Sequence, residues 1–135
     1  MTGARPGRPG APGGCRFPPR RRITKAGEIR RTLRRGKRER TSHLDVFDAA
    51  SPVSHSRLGV IVPTHGRRIV ERNRLKRRLR EIGRVEVLPR LDEAGASRDV
   101  LVRARGEAYG AAFDELRSEL IDWTQRRCSP ESSSD

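Results

Sequence analysis

The sequence predicts a small single-domain α+β sandwich in the order α-β-β-α-β-α, with helices packed on a mainly antiparallel sheet. Three observations carry this expectation. Three segments repeat apolar residues at the three- and four-residue spacing of a helix face. Three others alternate with a period of two, as a half-covered strand does. The chain has 135 residues, of which 33% are hydrophobic, which suits one domain with tails and a thin core.

Residues 1–21 are dominated by Gly, Pro and Arg and are expected to form a disordered basic tail. Thr24 is the expected N-cap of the first helix. Its apolar stripe is Ala26, Ile29 and Leu33, and Gly36 is its natural stop. Arg30, Arg31, Arg34, Arg35, Lys37 and Arg38 make this helix and its exit strongly basic. Residues 43–49 alternate, Leu44 and Val46 facing one way, Asp45 and Phe47 the other. Residues 57–62 alternate again through Leu58, Val60 and Val62. Pro52 and Ser54 stand between the two runs, which are expected to pair antiparallel. Pro63 ends the second strand, and Gly66 leads into the second helix. Residues 85–97 are expected to be a loop, with Pro89 and Gly95 as punctuation. Residues 99–104 form a third strand with Val100 and Val102 on one face. The last helix is expected over about 111–126, with Phe113, Leu116, Leu120 and Trp123 as its stripe and Arg126 and Arg127 at its negative dipole end. Residues 128–135 are expected to be a flexible tail.

The second helix is the most informative segment. Arg72-Asn73-Arg74-Leu75-Lys76-Arg77-Arg78-Leu79-Arg80-Glu81 holds six cationic side chains in ten positions, yet Leu75, Leu79 and Ile82 keep one helical face. At about 100° per residue, Asn73, Lys76, Arg77, Arg80 and Arg84 gather opposite the stripe. Arg72, Arg74 and Arg78 flank it. Such a helix docks by its leucines and turns a comb of charge outward. A charge-rich helix is commonly no more than a solvated surface. Here only Glu71 and Glu81 offset the cations, so repulsion costs stability unless an anion binds. The two acids are expected to be local partners, Arg77 and Glu81 being i, i+4.

Charge is unevenly placed along a chain of formal net charge +14. Residues 1–40 hold 14 Lys/Arg against 2 acids, residues 67–84 hold 9 against 2, and residues 85–135 hold 7 against 11. Two basic segments therefore make the cationic surface, as in a phosphate-backbone binder. Arg outnumbers Lys 28 to 3, which favours bidentate phosphate contacts and stacking on bases. A membrane partner is not expected. No apolar run approaches the roughly 20 residues that span a bilayer, no long amphipathic helix with aromatic anchors is present, and no apolar h-region follows the basic N-terminus. Cys15 and Cys128 lack the spacing of a zinc site and read as free thiols in polar tails of a cytoplasmic protein. His43, His55 and His65 show no metal-ligand spacing. No Ser/His/Asp or Cys/His set and no Gly-rich phosphate loop is legible, so no catalytic residue and no metal site is assigned. Asp114, Glu115, Glu119 and Asp122 are expected to line the exposed face of the last helix.

Arg72, Asn73, Arg74, Lys76, Arg77, Arg80 and Glu81 resemble the signature helix of the bacterial ribonuclease P protein component. The resemblance runs from about Arg22 to Arg126 and delimits an RNA-binding domain over 22–127. It implies a βαβ crossover in the sheet. It also implies that the protein is one subunit of an endoribonuclease that removes the 5′ leader of precursor tRNA, the RNA subunit carrying the magnesium-dependent hydrolysis. The protein itself would bind no cofactor, with one protein per RNA. Arg72, Asn73, Arg74, Lys76, Arg77 and Arg80 would lie against the catalytic RNA. A cleft between the first helix and one sheet face would hold the leader, near Ile29, Leu33, Phe47, Arg57 and Arg105. The chain departs from the family at Ile29 and Leu33, where two phenylalanines are usual, so these positions read either as leader contacts or as core. Phe47 matches a usual aromatic and is expected to be available. Pro63-Thr64-His65 replaces a Ser-Lys-Lys, with Arg67 and Arg68 close enough to restore charge, and Arg103 replaces an apolar residue. Two other classes share the charge logic: a structural RNA-binding protein of ribosomal type, and a DNA-binding protein, which lacks dimer-forming heptads here.

Overall fold

The computed structural model describes residues 19–128, as a four-stranded sheet between one helix on one face and three on the other. Helix α1 (Ala26–Arg35) runs into strand β1 (Lys37–Arg40), followed by β2 (Leu44–Ala50) and β3 (Arg57–Ile61). Helix α2 (Ile69–Ile82) continues through a π turn (Gly83–Val87) into α3 (Leu88–Glu93). Strand β4 (Arg98–Ala104), a 3₁₀ turn (Gly106–Gly110) and helix α4 (Phe113–Cys128) complete the chain. The spatial order is β1-β2-β4-β3.

The expected pairing of 43–49 with 57–62 is not formed. β4 lies between those strands, antiparallel to β2 from Leu44↔Ala104 to Ala50↔Arg98 and parallel to β3 from Arg57↔Asp99 to Ile61↔Arg103. Its centre explains the place it takes. Val100, Leu101 and Val102 form an unbroken apolar run, all fully buried, which suits a strand covered on both faces and not one at an edge. β3, the α2–π–α3 unit and β4 therefore make a βαβ crossover. β1 was not foreseen. Lys37-Arg38-Glu39-Arg40 has no apolar alternation because it pairs only with β2 at the edge, where charged side chains discourage further strand addition.

The main core lies between the sheet and α2, α3 and α4. Leu44, Val46, Leu58, Val100 and Val102 meet Leu75, Leu79, Ile82, Val87, Leu91, Leu116, Leu120 and Trp123. Phe113, placed on the α4 stripe by its spacing, is instead exposed at the first turn. The expected loop over 85–97 is largely helical. The buried stripe steps by five from Ile82 to Val87, and the π turn absorbs the extra residue. Pro89 falls in the first turn of α3, at its junction with the π turn. Gly95, at φ 73°, closes α3: its N–H bonds to Asp92 O and that of Ala96 to Leu91 O, a Schellman stop. Gly83 does not end α2. It is buried, and a Cβ there would stand 2.1 Å from Leu58 Cδ2.

The opposite sheet face carries α1 and a smaller apolar set, Ile23, Phe47 and Leu101. Thr24 does not cap α1; the N-cap is Lys25, without a side-chain bond. Gly36 does end it, in extended backbone with its N–H on Thr32 O, and a Cβ at that position would meet Thr32 O at 2.5 Å. Part of the expected N-terminal tail is docked: Pro19–Arg21 form a 3₁₀ turn, and Arg21 bonds to Ser56 O and both oxygens of Asp92. Cys128 is not in a tail either. It ends α4, half-buried, with its thiol pushed up by burial. Cys15, the rest of the N-terminal tail and residues 129–135 lie outside the described residues.

Three buried aspartates tie arginines into this frame. Asp99 takes a two-pronged contact from Arg57 at 2.9 and 2.7 Å, and Glu28 of α1 meets Arg57 at 3.2 Å. Asp48 accepts from Arg98 at 2.6 Å and from Arg127 of α4 at 3.0 Å. Asp45 accepts from Arg103 and Arg105, each at 3.2 Å, with Arg38 at 3.5 Å. Burial alone would push the Asp45 carboxyl up, but these guanidiniums outweigh it and hold it below the usual value.

Removing Asp99 strands a buried Arg57. Asp99→Ala is expected to lower unfolding stability by about 3–5 kcal/mol in urea titration, and Arg57→Met with Asp99→Leu by clearly less. Equal losses would contradict the pairing argument. Asp45 adds an acid limb. Its stabilisation is complete above the unfolded-state pKa of about 3.9 and is lost as pH falls through the lower folded-state value. Asp45→Asn should lower stability at pH 7 and flatten its decline below about pH 4, read from denaturant midpoints across pH.

Candidate nucleic-acid interface

The basic helix α2 is seated by its leucines, as its spacing predicts. Leu75, Leu79 and Ile82 are buried; Asn73, Arg74 and Arg77 are exposed; Arg72, Lys76, Arg78 and Arg80 are half-buried. The acids do not neutralise this surface. Glu71 accepts the Arg68 N–H at 3.1 Å and so caps the helix start, with Arg67 at 3.7 Å. Glu81 is taken by Arg84, both oxygens at 2.7 Å, and not by Arg77 as its spacing suggested. Among the described residues, Arg72, Arg74, Lys76, Arg77, Arg78 and Arg80 have no salt bridge. Arg72 Nε is buried without a hydrogen-bond partner. The first turn also exposes two apolar residues that sequence reasoning passed over, Ile69 at 68% and Val70 at 63%.

Lys76 and Arg80 turn toward α1. With Arg22, Ile23, Thr24, Ile29, Leu58, Gly59 and Val60 they line a cavity of about 200 Å³. Burial, together with the charge of Arg22, pulls the Arg80 guanidinium below its usual pKa. Gly59 permits this arrangement, since a Cβ would meet Leu101 Cδ1 at 2.8 Å and Ile23 at 3.1 Å. The cavity joins residues the sequence had assigned to separate surfaces, Lys76 and Arg80 on one side and Ile29 on the other. Ile29 and Leu33 are each half-buried, neither sealed in the core nor free of it.

The remaining cleft residues sit differently from expectation. Phe47 is only 4% exposed, covered by Arg103, whose Cζ lies 5.1 Å from the ring centroid. An aromatic on an alternating strand signalled a face, but not the arginine on the neighbouring strand that shields it. Arg57 is buried between Asp99 and Glu28. Arg105 spends its donors on Leu44 O, Thr41 O, Ser42 O and Asp45, at 2.6–3.2 Å. Both are structural clamps in this conformation. Pro63-Thr64-His65 leads into a turn with His65 at φ 47° and Gly66 at φ 74°. Arg67 folds back there, its Cζ 4.9 Å from the Tyr109 ring centroid. Tyr109 donates to Pro63 O.

On α4, Asp114, Glu115 and Asp122 are exposed, as expected, but Glu119 is half-buried and accepts from the Thr41 hydroxyl at 2.7 Å and pairs with His43. Among the described residues no three His, Cys, Asp or Glu side chains gather in the manner of a metal site, and no helix is long and apolar enough to cross a membrane.

Known proteins resemble this chain over most of its length. The profile of the family described as Ribonuclease P matches residues 17–127. The ribonuclease P protein component of Syntrophobacter fumaroxidans is 35% identical over 109 residues, covering 81% of this chain and 89% of its own. That of Mycobacteroides abscessus is 33% identical over 126 residues, covering 84% and 94%. The solved ribonuclease P protein of Thermotoga maritima superposes with a TM-score of 0.65 at 24% identity, over 78% of this chain and 96% of that one, a likeness of fold. The chain belongs to the bacterial ribonuclease P protein component family, the protein subunit of the ribonucleoprotein endoribonuclease that acts in 5′ processing of precursor tRNA.

Proposed function

We propose that α2 seats this protein on the RNA subunit of its ribonuclease P, with Arg72, Asn73, Arg74, Lys76, Arg77 and Arg80 against the RNA backbone. The contrast on one helix supports this most: leucines buried on one side, and cations without acidic partners among the described residues on the other. Phosphates would supply the missing counter-charge, and counterions released from the RNA would drive association.

The cleft beside α1 takes the single-stranded 5′ leader of the precursor. Ile29 and Leu33 give it an apolar side, and Phe47 under Arg103 gives it a base. Arg57 and Arg105 contribute by holding its walls, since their donors are engaged within the protein. Hydrolysis belongs to the RNA and its magnesium ions, and the protein adds cationic charge where two RNAs must approach. Thr41, His43 and Glu119 are the nearest approach to a catalytic set among the described residues. The hydroxyl and the imidazole both bond to the carboxylate and not to each other, so nothing activates the hydroxyl as a nucleophile. One protein serves one RNA, in the cytoplasm.

Arg72→Ala with Arg74→Ala removes two charges without harming the helix, Ala being the best helix former. Each charge-assisted contact is worth on the order of 1.5–3 kcal/mol. Assembly with the catalytic RNA should weaken at least tenfold by filter binding (~1.4 kcal/mol), and cleavage should fall most at low magnesium. Unchanged assembly and cleavage, with a native circular dichroism spectrum, would return α2 to the status of a solvated face.

Ile29→Phe with Leu33→Phe offers larger flat surfaces at half-buried positions. Affinity of the holoenzyme for precursor tRNA should rise while that for mature tRNA stays constant. Equal gains for both RNAs would show that these residues do not meet the leader.

A further inference from the structure

The part of the sheet face beside α1 presents an arginine plate where an apolar residue would suffice for packing. Ile61, Arg103, Asp45 and Arg40 stand in one row across four strands, by register, and Phe47 and Arg38 pair in the row beneath. Arg103 lies on Phe47, Cζ 5.1 Å from the ring centroid, and bonds through Nη2 to Asp45 at 3.2 Å. Asp45 is itself nearly inaccessible and also receives Arg105 and Arg38. Three guanidiniums surround this carboxylate, and Glu107 stands 3.6 Å from Arg105 alone, which leaves one positive charge in excess.

The guanidinium of Arg103 is thus held in three ways: its Cζ over an aromatic ring, its Nη2 on a buried carboxylate, its stem on a central strand. Its side chain remains 34% exposed, whereas the ring beneath it is only 4% exposed. A fixed, planar cation facing a cleft is a stacking surface for a nucleobase, whereas a lone lysine would be only a point charge.

We infer that Arg103, stacked on Phe47 and oriented by Asp45, is a stacking platform for one base of the single-stranded leader, with Arg38, exposed at 53% on the same carboxylate, placed for an adjoining phosphate. The platform stands in for the aromatic surface that Ile29 and Leu33 do not supply. It makes no base-edge contact, so it accepts any base. The inference rests on the reading of this cleft as the leader site.

The test uses the reconstituted holoenzyme and three kinds of RNA: precursor tRNA with an intact leader, precursors with one abasic nucleotide at successive leader positions, and leaderless tRNA. Wild type, Arg103→Lys and Arg103→Met are compared by equilibrium binding, with thermal melts as the fold control. Lys keeps the charge and loses the plane; Met keeps the cover on Phe47. In the wild type one abasic position should cost roughly tenfold in affinity. Both variants should lose the same factor for the intact precursor, lose nothing more at that abasic position, and bind leaderless tRNA as the wild type does. Wild-type affinity of Arg103→Lys for the intact precursor, or an abasic penalty undiminished in both variants, would overturn the stacking role. Wild-type enzyme that binds leader-bearing and leaderless RNA equally would overturn the leader cleft itself, a distinct result.

Discussion

Excess positive charge is the constraint on which this structure depends. A chain of net charge +14 folds around three buried carboxylates, Asp45, Asp48 and Asp99, on the two central strands. Each gathers arginines from elements distant in sequence: β3 at Asp99, α4 at Asp48, and β1 with the end of β4 at Asp45. A buried ion pair gives little net stability against an apolar pair of the same shape. What it supplies here is position. Each carboxylate fixes where a guanidinium must sit, and so fixes the docking of α1, α4 and the 41–45 turn on the sheet.

That arrangement divides the arginines into two populations. Arg57, Arg98, Arg105 and Arg127 hold the fold together and have few donors left for a ligand. The cations of α2 are different. Their helix is anchored by Leu75, Leu79 and Ile82, and its two acids are diverted, Glu71 to the helix start and Glu81 to Arg84. The diversion of Glu81 is consequential, because an Arg77–Glu81 pair would have placed a negative charge in the middle of the proposed RNA face.

Much of this was legible in the sequence and some was not, for physical reasons. The stripe of α2, the two faces of β2 and the stop at Gly36 follow from local periodicity and backbone geometry, which a sequence records directly. The central place of β4 is a nonlocal fact, signalled only by the continuous Val100-Leu101-Val102. β1 gave no signal, since an edge strand of Lys-Arg-Glu-Arg buries nothing that alternates. The helical path over 85–93 was hidden by Pro89, a residue usually read as a break, and by Gly95 just beyond it, although the five-residue step from Ile82 to Val87 marks the π turn. For the cleft, residue type named the candidates but not their state. Whether an arginine is a clamp or a ligand depends on carboxylates forty or sixty residues away, as Arg57 and Arg105 show.

The two populations also interact. The fold brings cations close together, most clearly where Arg22 and Arg80 line one cavity and burial, together with the charge of Arg22, lowers the pKa of Arg80. Like charges held together by a fold lower its stability, and an anion bound between them raises it. A ligand that binds only the folded chain stabilises it in proportion to the logarithm of its concentration over its dissociation constant. The thin core, spread over one layer with a smaller apolar set behind it, gives that term weight. RNA binding and the stability of this domain are therefore one linked equilibrium, in which the polyanion supplies the counter-charge that the acids buried in the sheet and the two acids of α2, already engaged elsewhere, do not.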